Sequence, residues 1–455
     1  MARGKKTPAV PEEGVVASLT HDGDGVVRGD DIKTAFVGGS LPGERIRFQR
    51  LRRHRGHDEG RLLEVIEAAA DRVQPRCAHF GVCGGCALQH LAGDRQIELK
   101  QQELVQVLER VAKVSPAAWL PPLRGPGWNY RRRARLGARY VPKKGRVIVG
   151  FRERLAPYIA ALERCEVLAE PVGSLITPLS QLLTGLSIRE HVPQIEVAVA
   201  ENATALVLRV MRDPSPADLD ALRAFEAQHG LWLYLQPRGL DSVQRLPPAQ
   251  EGAALPDAAL RYTFQDFDIH YDFRPTDFVQ VNAAINQEMV QRVIGLLELT
   301  PQARVLDLFC GLGNFTLPLA RHAGEVIGVE GDAALVARAQ HNAALNGIGN
   351  ARFIAADLTQ ALDKHEPWLT KGFSHVVLDP PRAGALDVMP TIAQLSPCKV
   401  AYISCHPGSL ARDIGVLVHE HGFELRAAGV LDMFPHTAHV ESLAVLTPPK
   451  KRKQE

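Results

Sequence analysis

At 455 residues the chain is too long for one ordinary hydrophobic core, so roughly two to four domains are expected. A net charge of +2 rules out bulk charge as the sign of a polyanionic partner, so any such case must rest on local patches. No apolar run approaches ~18 residues, and "MARGKKTPAVPEEG" has no apolar segment behind its basic start. No membrane span or secretory signal is therefore expected, and the cytoplasm is the default address. In that setting the seven cysteines argue for metal or catalytic use over a disulfide framework.

In chain order, residues 1–7 and 449–455 are charged ends whose basic residues suit contact with a polyanion. Between about 12 and 67 the runs "GVVASLT", "GDGVVRG", "IKTAFVGG", "ERIRFQRLRRH" and "GRLLEVIE" are short and β-branched, with Gly, Asp and Pro between them. That spacing predicts a small barrel domain over 8–68. Next comes "CAHFGVCGGCALQH", a Cys77-x5-Cys83-x2-Cys86 cluster, for which Cys165 in "LERCEVL" is a candidate fourth ligand. Four thiolates can hold tetrahedral zinc or a four-iron cluster. The irregular spacing and "CGGC" lean towards iron–sulfur without deciding it. A polar helix follows over 94–113, and alternating segments such as "QIEVAVAE" and "TALVLRVMR" predict a mainly β central domain over 74–268. Two stretches, "RFQRLRRHRGHDEGR" (47–61) and "WNYRRRARLGARYVPKKGR" (128–146), read as local basic patches able to contact RNA phosphates.

After about 270 the style changes. "RVLDLFCGLGN", "EVIGVEGD", "ARFIAADL" and "HVVLDPPRAG" are apolar strands that each run into a helical pattern, which reads as a parallel doubly wound sheet over 269–449. Gly311-Leu312-Gly313 lets the backbone turn sharply and approach a ligand at a helix N-terminus. Asp307 lies inside that strand, where a carboxylate is costly without partners. Glu330 ends the second strand about 20 residues on, placed for two ribose hydroxyls. Asp357 ends the third, where an adenine amino group can be read. The third glycine of a dinucleotide fingerprint is missing, so this order of groups favours S-adenosylmethionine over NAD.

Asp379-Pro380-Pro381 ends the fourth strand and Cys405 the fifth, on one edge of the sheet. Methylases of exocyclic amines carry a similar tetrapeptide with an aromatic residue last. Arg382 stands there instead and argues against amine methylation. Carbon 5 of uracil is a poor nucleophile until a thiolate adds at carbon 6, and its proton must later be taken by a base. Cys405 suits the first role. Glu441, the only carboxylate flanked by apolar residues in the final strand-like stretch "HTAHVESLAVL", suits the second. Cys310 and Cys398 read as packing residues.

With those residues in place, "DLFCGLGNF", "LDPPRAG", "SCHPGSLARD" and "LDMFPHTAHVES" closely resemble the RNA uracil-C5 methyltransferases, over nearly the whole chain. The resemblance implies Cys405 as nucleophile, Glu441 as base, and Gln280, Phe309, Asn314, Glu330, Asp357 and Asp379 as S-adenosylmethionine contacts. It further implies a [4Fe-4S] cluster on Cys77, Cys83, Cys86 and Cys165 and an OB-like TRAM barrel that binds RNA; no obligate protein partner is evident in the sequence. With barrel and cluster included, the resemblance is strongest to the branch that methylates 23S ribosomal RNA. Pro381 departs from that branch, where alanine is usual; both are small. Transfer RNA or another ribosomal uridine is the alternative substrate, and a non-catalytic RNA-binding assembly factor the alternative class. Radical methylthiotransferases also combine iron–sulfur, S-adenosylmethionine and such a barrel. They use a Cys-x3-Cys-x2-Cys spacing and have no separate cofactor fold.

Overall fold

Five strands open the chain: β1 (Glu12–Leu19), β2 (Asp24–Gly29), β3 (Ile32–Gly38), β4 (Arg45–Arg53) and β5 (Asp58–Glu67). They close into a barrel in the order β1-β2-β3-β5-β4. Its core is small, formed by Val16, Val27, Ala35, Val37, Ile46 and Phe48. The computed structural model describes residues 10–29, 32–249, 259–362 and 365–449, so the charged ends at 1–7 and 450–455 lie outside the described residues.

The cysteine loop leads into α1 (Gly93–Val107), which ends in a π turn over Leu108–Ala112. Although polar in composition, α1 buries Gln96, Ile97, Lys100 and Leu104 on one face. After it, β6 (Ala118–Trp119) leaves the region and pairs far along the chain. A six-stranded sheet follows, built from β7 (Arg133–Val141), β8 (Arg146–Gly150), β9 (Gln194–Val199), β10 (Thr204–Arg209), β11 (Leu231–Gln236) and β12 (Gln244–Arg245), in the order β12-β11-β10-β9-β7-β8. Helices α2 (Ile176–Gly185) and α3 (Pro216–His229) belong to the same region, so it is less purely β than expected. Ser215 and Asp218 form a capping box at the start of α3.

Strands β13 (Leu260–Phe264) and β14 (Ile269–Phe273) form a hairpin with Phe264 opposite Ile269. Tyr262, Phe264, Tyr271 and Phe273 are buried in one core with Ile285, Met289 and Val293 of α4 (Ala283–Leu297). The expected division at 268/269 falls in the turn of this hairpin, whose two strands alternate their aromatics into the same core.

The remaining strands are β15 (Arg304–Leu308), β16 (Glu325–Glu330), β17 (Ala351–Ala355), β18 (His375–Leu378), β19 (Lys399–Ser404), β20 (Glu424–Leu431) and β21 (Glu441–Thr447). The helices among them are α5 (Thr316–Ala320), α6 (Ala333–Leu345), α7 (Met389–Leu395) and α8 (Pro407–His419). The sheet order is β17-β16-β15-β18-β19-β21-β20-β6. Its first five strands are parallel, and β21 runs antiparallel between β19 and β20. Residues 93–119, expected in the central domain, thus serve this sheet: β6 extends its edge, and Leu104 and Leu108 share a core with Leu410 and Ile414 of α8.

Candidate active site

In a parallel sheet, side chains just beyond the carboxyl ends of the strands face a common crevice. Here the first residues past β15, β18 and β19 are Phe309, Asp379 and Cys405, while Glu330 ends β16 and Asp357 lies two residues past β17. Strand β21 runs the other way, so its first residue reaches the same edge. Ser404 pairs with Ser442, and Cys405 and Glu441 are therefore brought face to face one step beyond that pair. Proline at the first position of α8 turns the chain away directly behind Cys405, where the His406 side chain accepts from the Ser409 amide.

Of the acids of the crevice, Asp307 and Glu441 are buried and Asp379 and Glu330 half-buried. Asp307 is buried, accepts from the Thr316 hydroxyl at 2.5 Å, and leaves Oδ1 without a partner. Burial, with Asp379 and Glu330 nearby, pushes its pKa up to about 7. Asp379 accepts from Gln280 Nε2 at 3.0 Å, yet burial still raises it. Glu441 is 3% exposed, and burial together with the Asp379 charge raises it well above the usual carboxylate range. Cys405 is half-buried; burial and the charges of Glu441 and Asp379 push its thiol up to about 11, with Arg382 opposing. Buried carboxylates with an orphaned oxygen suit a cationic ligand, and a sulfonium is one. The residues present fit S-adenosylmethionine.

Around the glycine turn, Gly311 and Gly313 have φ of 54° and 87°, and Phe309 itself is left-handed at 62°. A non-glycine residue in that region is uncommon and marks a place where the fold imposes a conformation. Glu330 accepts from the Gly311 amide at 3.1 Å and from the Asp332 amide at 3.1 Å, which joins the turn to the second strand. Asn314 exchanges two hydrogen bonds with Asn286 of α4, at 2.8 and 3.0 Å. Asp357 stands apart: it is exposed and accepts from Thr359 and Gln360 on its own loop.

Cys405 opens into a cavity of about 670 Å³ whose walls come from distant parts of the chain. Arg382 and His439 form one side, joined by an Arg382 Nη2 to His439 Nδ1 hydrogen bond of 2.9 Å. Gly84–Ala87 of the cysteine loop form another, and His21, Asp22 and Asp24 of the barrel close a third. No sequence signal pointed to the barrel turn, because its contact with the crevice is purely tertiary. Phe278, two residues before Gln280, was also missed; at 69% exposure it is a large aromatic left in solvent.

Cys77, Cys83, Cys86 and Cys165 line one cavity. None forms a disulfide. Burial raises Cys83 to about 11 and Cys86 to about 12, and each would repel the others as thiolates. Among the described residues no group of three or more such side chains already stands at metal-binding geometry. The donor set, four convergent thiols, fits a thiolate-bound metal centre. Of the two cysteines read as packing, Cys310 is buried while Cys398 is exposed, which corrects the latter.

Both expected basic patches are altered by the fold. On the barrel, Arg45, Arg47, Arg50 and Arg52 are paired with Glu67, Glu13 and Glu64, Glu12 and Asp58, and Glu59 respectively. In 128–146, Arg132 is buried over Tyr262 and donates to the Gln280 carbonyl at 2.8 Å. Arg133 donates to the Pro275 carbonyl, Tyr130 to the Pro435 carbonyl, and Trp128 stacks on His436. These residues join the central sheet to the catalytic region. The exposed cations of that stretch are Arg135, Arg139, Lys143, Lys144 and Arg146, of which Arg135 pairs with Glu196.

The family model for tRNA (uracil-5-)-methyltransferases matches residues 259–448, starting just before the β13–β14 hairpin. The 23S rRNA (uracil(1939)-C(5))-methyltransferase RlmD of Alkalilimnicola ehrlichii is 49% identical over 97% of this chain and 98% of its own length. The chain belongs to the RNA uracil-C5 methyltransferase family. The Methylococcus capsulatus relative of the same description is 48% identical over 97% and 99%. The tRNA (uracil-54, C5)-methyltransferase of Pyrococcus abyssi, solved with S-adenosyl-L-homocysteine, superposes with a TM-score of 0.72 over 96% of this chain and 100% of its own, at 22% identity. That likeness establishes the shared fold, barrel included. Among the described residues no helix is long and apolar enough to cross a membrane.

Proposed function

We propose that the protein methylates carbon 5 of a uridine in 23S ribosomal RNA, uridine 1939 by its likeness to the relatives above, using S-adenosylmethionine. The observation that carries the chemistry is the Ser404–Ser442 register, which sets Cys405 against Glu441 at the mouth of the crevice. The Cys405 thiolate adds to carbon 6, and the π electrons shift to make carbon 5 nucleophilic. S-adenosylmethionine, held by the residues assigned to it below, would supply the methyl group that carbon 5 takes up, with S-adenosylhomocysteine as the leaving group. Glu441 then takes the carbon 5 proton, the C5–C6 double bond re-forms, and the Cys405 thiolate is expelled.

Gln280, Phe309, Asn314, Glu330, Asp357 and Asp379 are assigned to the cofactor. Arg382 lowers the energy of the thiolate and, with His439, lines the side of the cavity where a base flipped from the RNA must lie. The exposed ring of Phe278 offers a stacking face for an unpaired base. Cys77, Cys83, Cys86 and Cys165 are assigned to a [4Fe-4S] cluster that holds the 77–86 loop against the central sheet. The barrel is assigned as a TRAM module, and cytoplasmic residence follows from the substrate.

The test separates the two side chains. Cys405→Ala should give neither methyl transfer nor adduct. Glu441→Gln should accumulate a methylated covalent protein–RNA complex that maps to Cys405 and survives denaturing electrophoresis. Normal turnover by Glu441→Gln, or an adduct at Cys310 or Cys398, would overturn the assignment. Mass-spectrometric mapping of 23S RNA from a deletion strain identifies the uridine.

A further inference from the structure

The loop that delivers Glu441 is Asp432–Val440, closed at its base by the cross-strand pair of Leu431 with Glu441. Thr437, Ala438, His439 and Val440 of this loop line the Cys405 cavity. Its middle is held by Tyr130 on the Pro435 carbonyl, by Trp128 on the His436 ring and by the Ala87 and Leu88 amides on the His436 carbonyl, and its start by the inward face of α1. Lys100, 1% exposed, donates to Asp432 Oδ1 at 2.7 Å and to the Phe434 carbonyl at 2.9 Å. One turn earlier, Gln96 Oε1 accepts from the His436 amide at 2.9 Å while its Nε2 donates to the Leu91 carbonyl at 2.8 Å. The Phe434 ring packs edge-on against His439, 5.5 Å between centroids, and His439 accepts from Arg382.

A lysine is a costly way to fill a helix–sheet contact, since an apolar side chain of similar volume packs there without desolvating a charge. What Lys100 adds is geometry. Its ammonium reaches one carboxylate and one carbonyl at the start of the loop, which ties Asp432 and Phe434 to a common point on α1. We propose that Lys100 is a positioning residue for this reaction: by clamping Asp432 and Phe434 it sets the 432–440 loop, and with it Glu441. The link to catalysis rests on the reading of Glu441 as the base.

If so, the step that suffers is proton removal from carbon 5, which depends on Glu441, more than addition of Cys405, which is held by β19 and α8. The full-length protein is compared as wild type, Lys100→Met, Lys100→Met/Asp432→Asn and Glu441→Gln, with an RNA fragment containing the target uridine. The double variant leaves no unpaired buried charge and guards against simple unfolding. Both Lys100 variants should show faster amide exchange across 432–440, unchanged S-adenosylmethionine affinity and near-normal adduct formation. Resolution of the methylated adduct should slow on the order of 10- to 100-fold, the scale of a misplaced catalytic group. Glu441→Gln should stall the same step with no change in loop exchange. Unaltered exchange in the folded double variant overturns the positioning role whatever Glu441 does. Adduct formation and resolution slowed by equal factors overturn it too, since that is a general loss of structure. Normal resolution in Glu441→Gln strikes the base assignment instead and leaves the loop measurement standing.

Discussion

Cys83, Cys86 and Cys165 in one place and Cys405 in another are held above the range of a free cysteine, for different reasons. At Cys83 and Cys86 burial leads, and the charges that oppose ionisation come from neighbouring thiols. At Cys405 burial again leads, but the opposing charges are carboxylates, Glu441 and Asp379, with Arg382 pulling the other way. On the assignments proposed above, the first environment would be completed by cations bound directly to sulfur. The second would be completed by a cation near the carboxylates, which would leave the sulfur itself free to attack. Residue type alone does not distinguish a ligand from a nucleophile; the neighbours do.

The comparison breaks first at the metal. Protein purified without oxygen should be brown with about four irons per chain, and Cys83→Ser should lose the metal altogether along with much of the soluble yield. Cys405→Ser should keep its iron, and a colourless protein carrying one zinc would remove the cluster from the account.

Next in size is the acid side of the crevice. Asp307 rises from 3.8 to about 7 on folding, so the folded state holds its proton more tightly than the unfolded chain. Its contribution is therefore favourable at low pH and lost as pH rises from about 4 to 7, on the order of 4 kcal/mol at most. Without cofactor, Asp307→Asn should raise the melting temperature at pH 8 and change it much less at pH 4. Equal shifts at both values would show that the carboxylate is not penalised by burial.

The thiol itself comes third. With a pKa of about 11, Cys405 should carry roughly a hundredfold less thiolate at pH 8 than an unperturbed cysteine. Iodoacetamide labelling of its peptide, followed by mass spectrometry, should be correspondingly slow and should quicken when S-adenosylmethionine is added. Labelling at the ordinary rate in the free enzyme would remove the carboxylates' influence.

The smallest effect is expected on the barrel surface. Arg47 is exposed and already paired with Glu13 and Glu64, so Arg47→Gln should barely move the melting temperature or RNA affinity. Lys143→Gln/Lys144→Gln, at an exposed turn, should weaken RNA binding and flatten its salt dependence. The reverse ranking in a filter-binding titration over salt would return the phosphate contacts to the barrel.

Much of the catalytic edge is legible in the amino-acid sequence, because strand–turn–helix units state locally where a strand ends. Asp379, Cys405 and Glu330 stand at the strand ends where the apolar runs placed them. The arginines mislead for the opposite reason. Charge is local in sequence, but its meaning depends on what faces it across a sheet or beneath a hairpin. Arg132 is a buried strut between two regions and Arg47 one arm of a surface ion-pair network.

The sequence by itself determined the doubly wound sheet, the glycine turn, the acids and the cysteine on its edge, since short-range periodicity and turn chemistry encode them. Tertiary structure alone decided that β21 runs antiparallel beside β19 and so brings Glu441 to Cys405, that the β13–β14 hairpin belongs with α4, and that α1 reaches Asp432 through Lys100. Each of these joins residues far apart in the chain, and pairing at such distance is settled by which apolar faces bury together and not by any local run of residues.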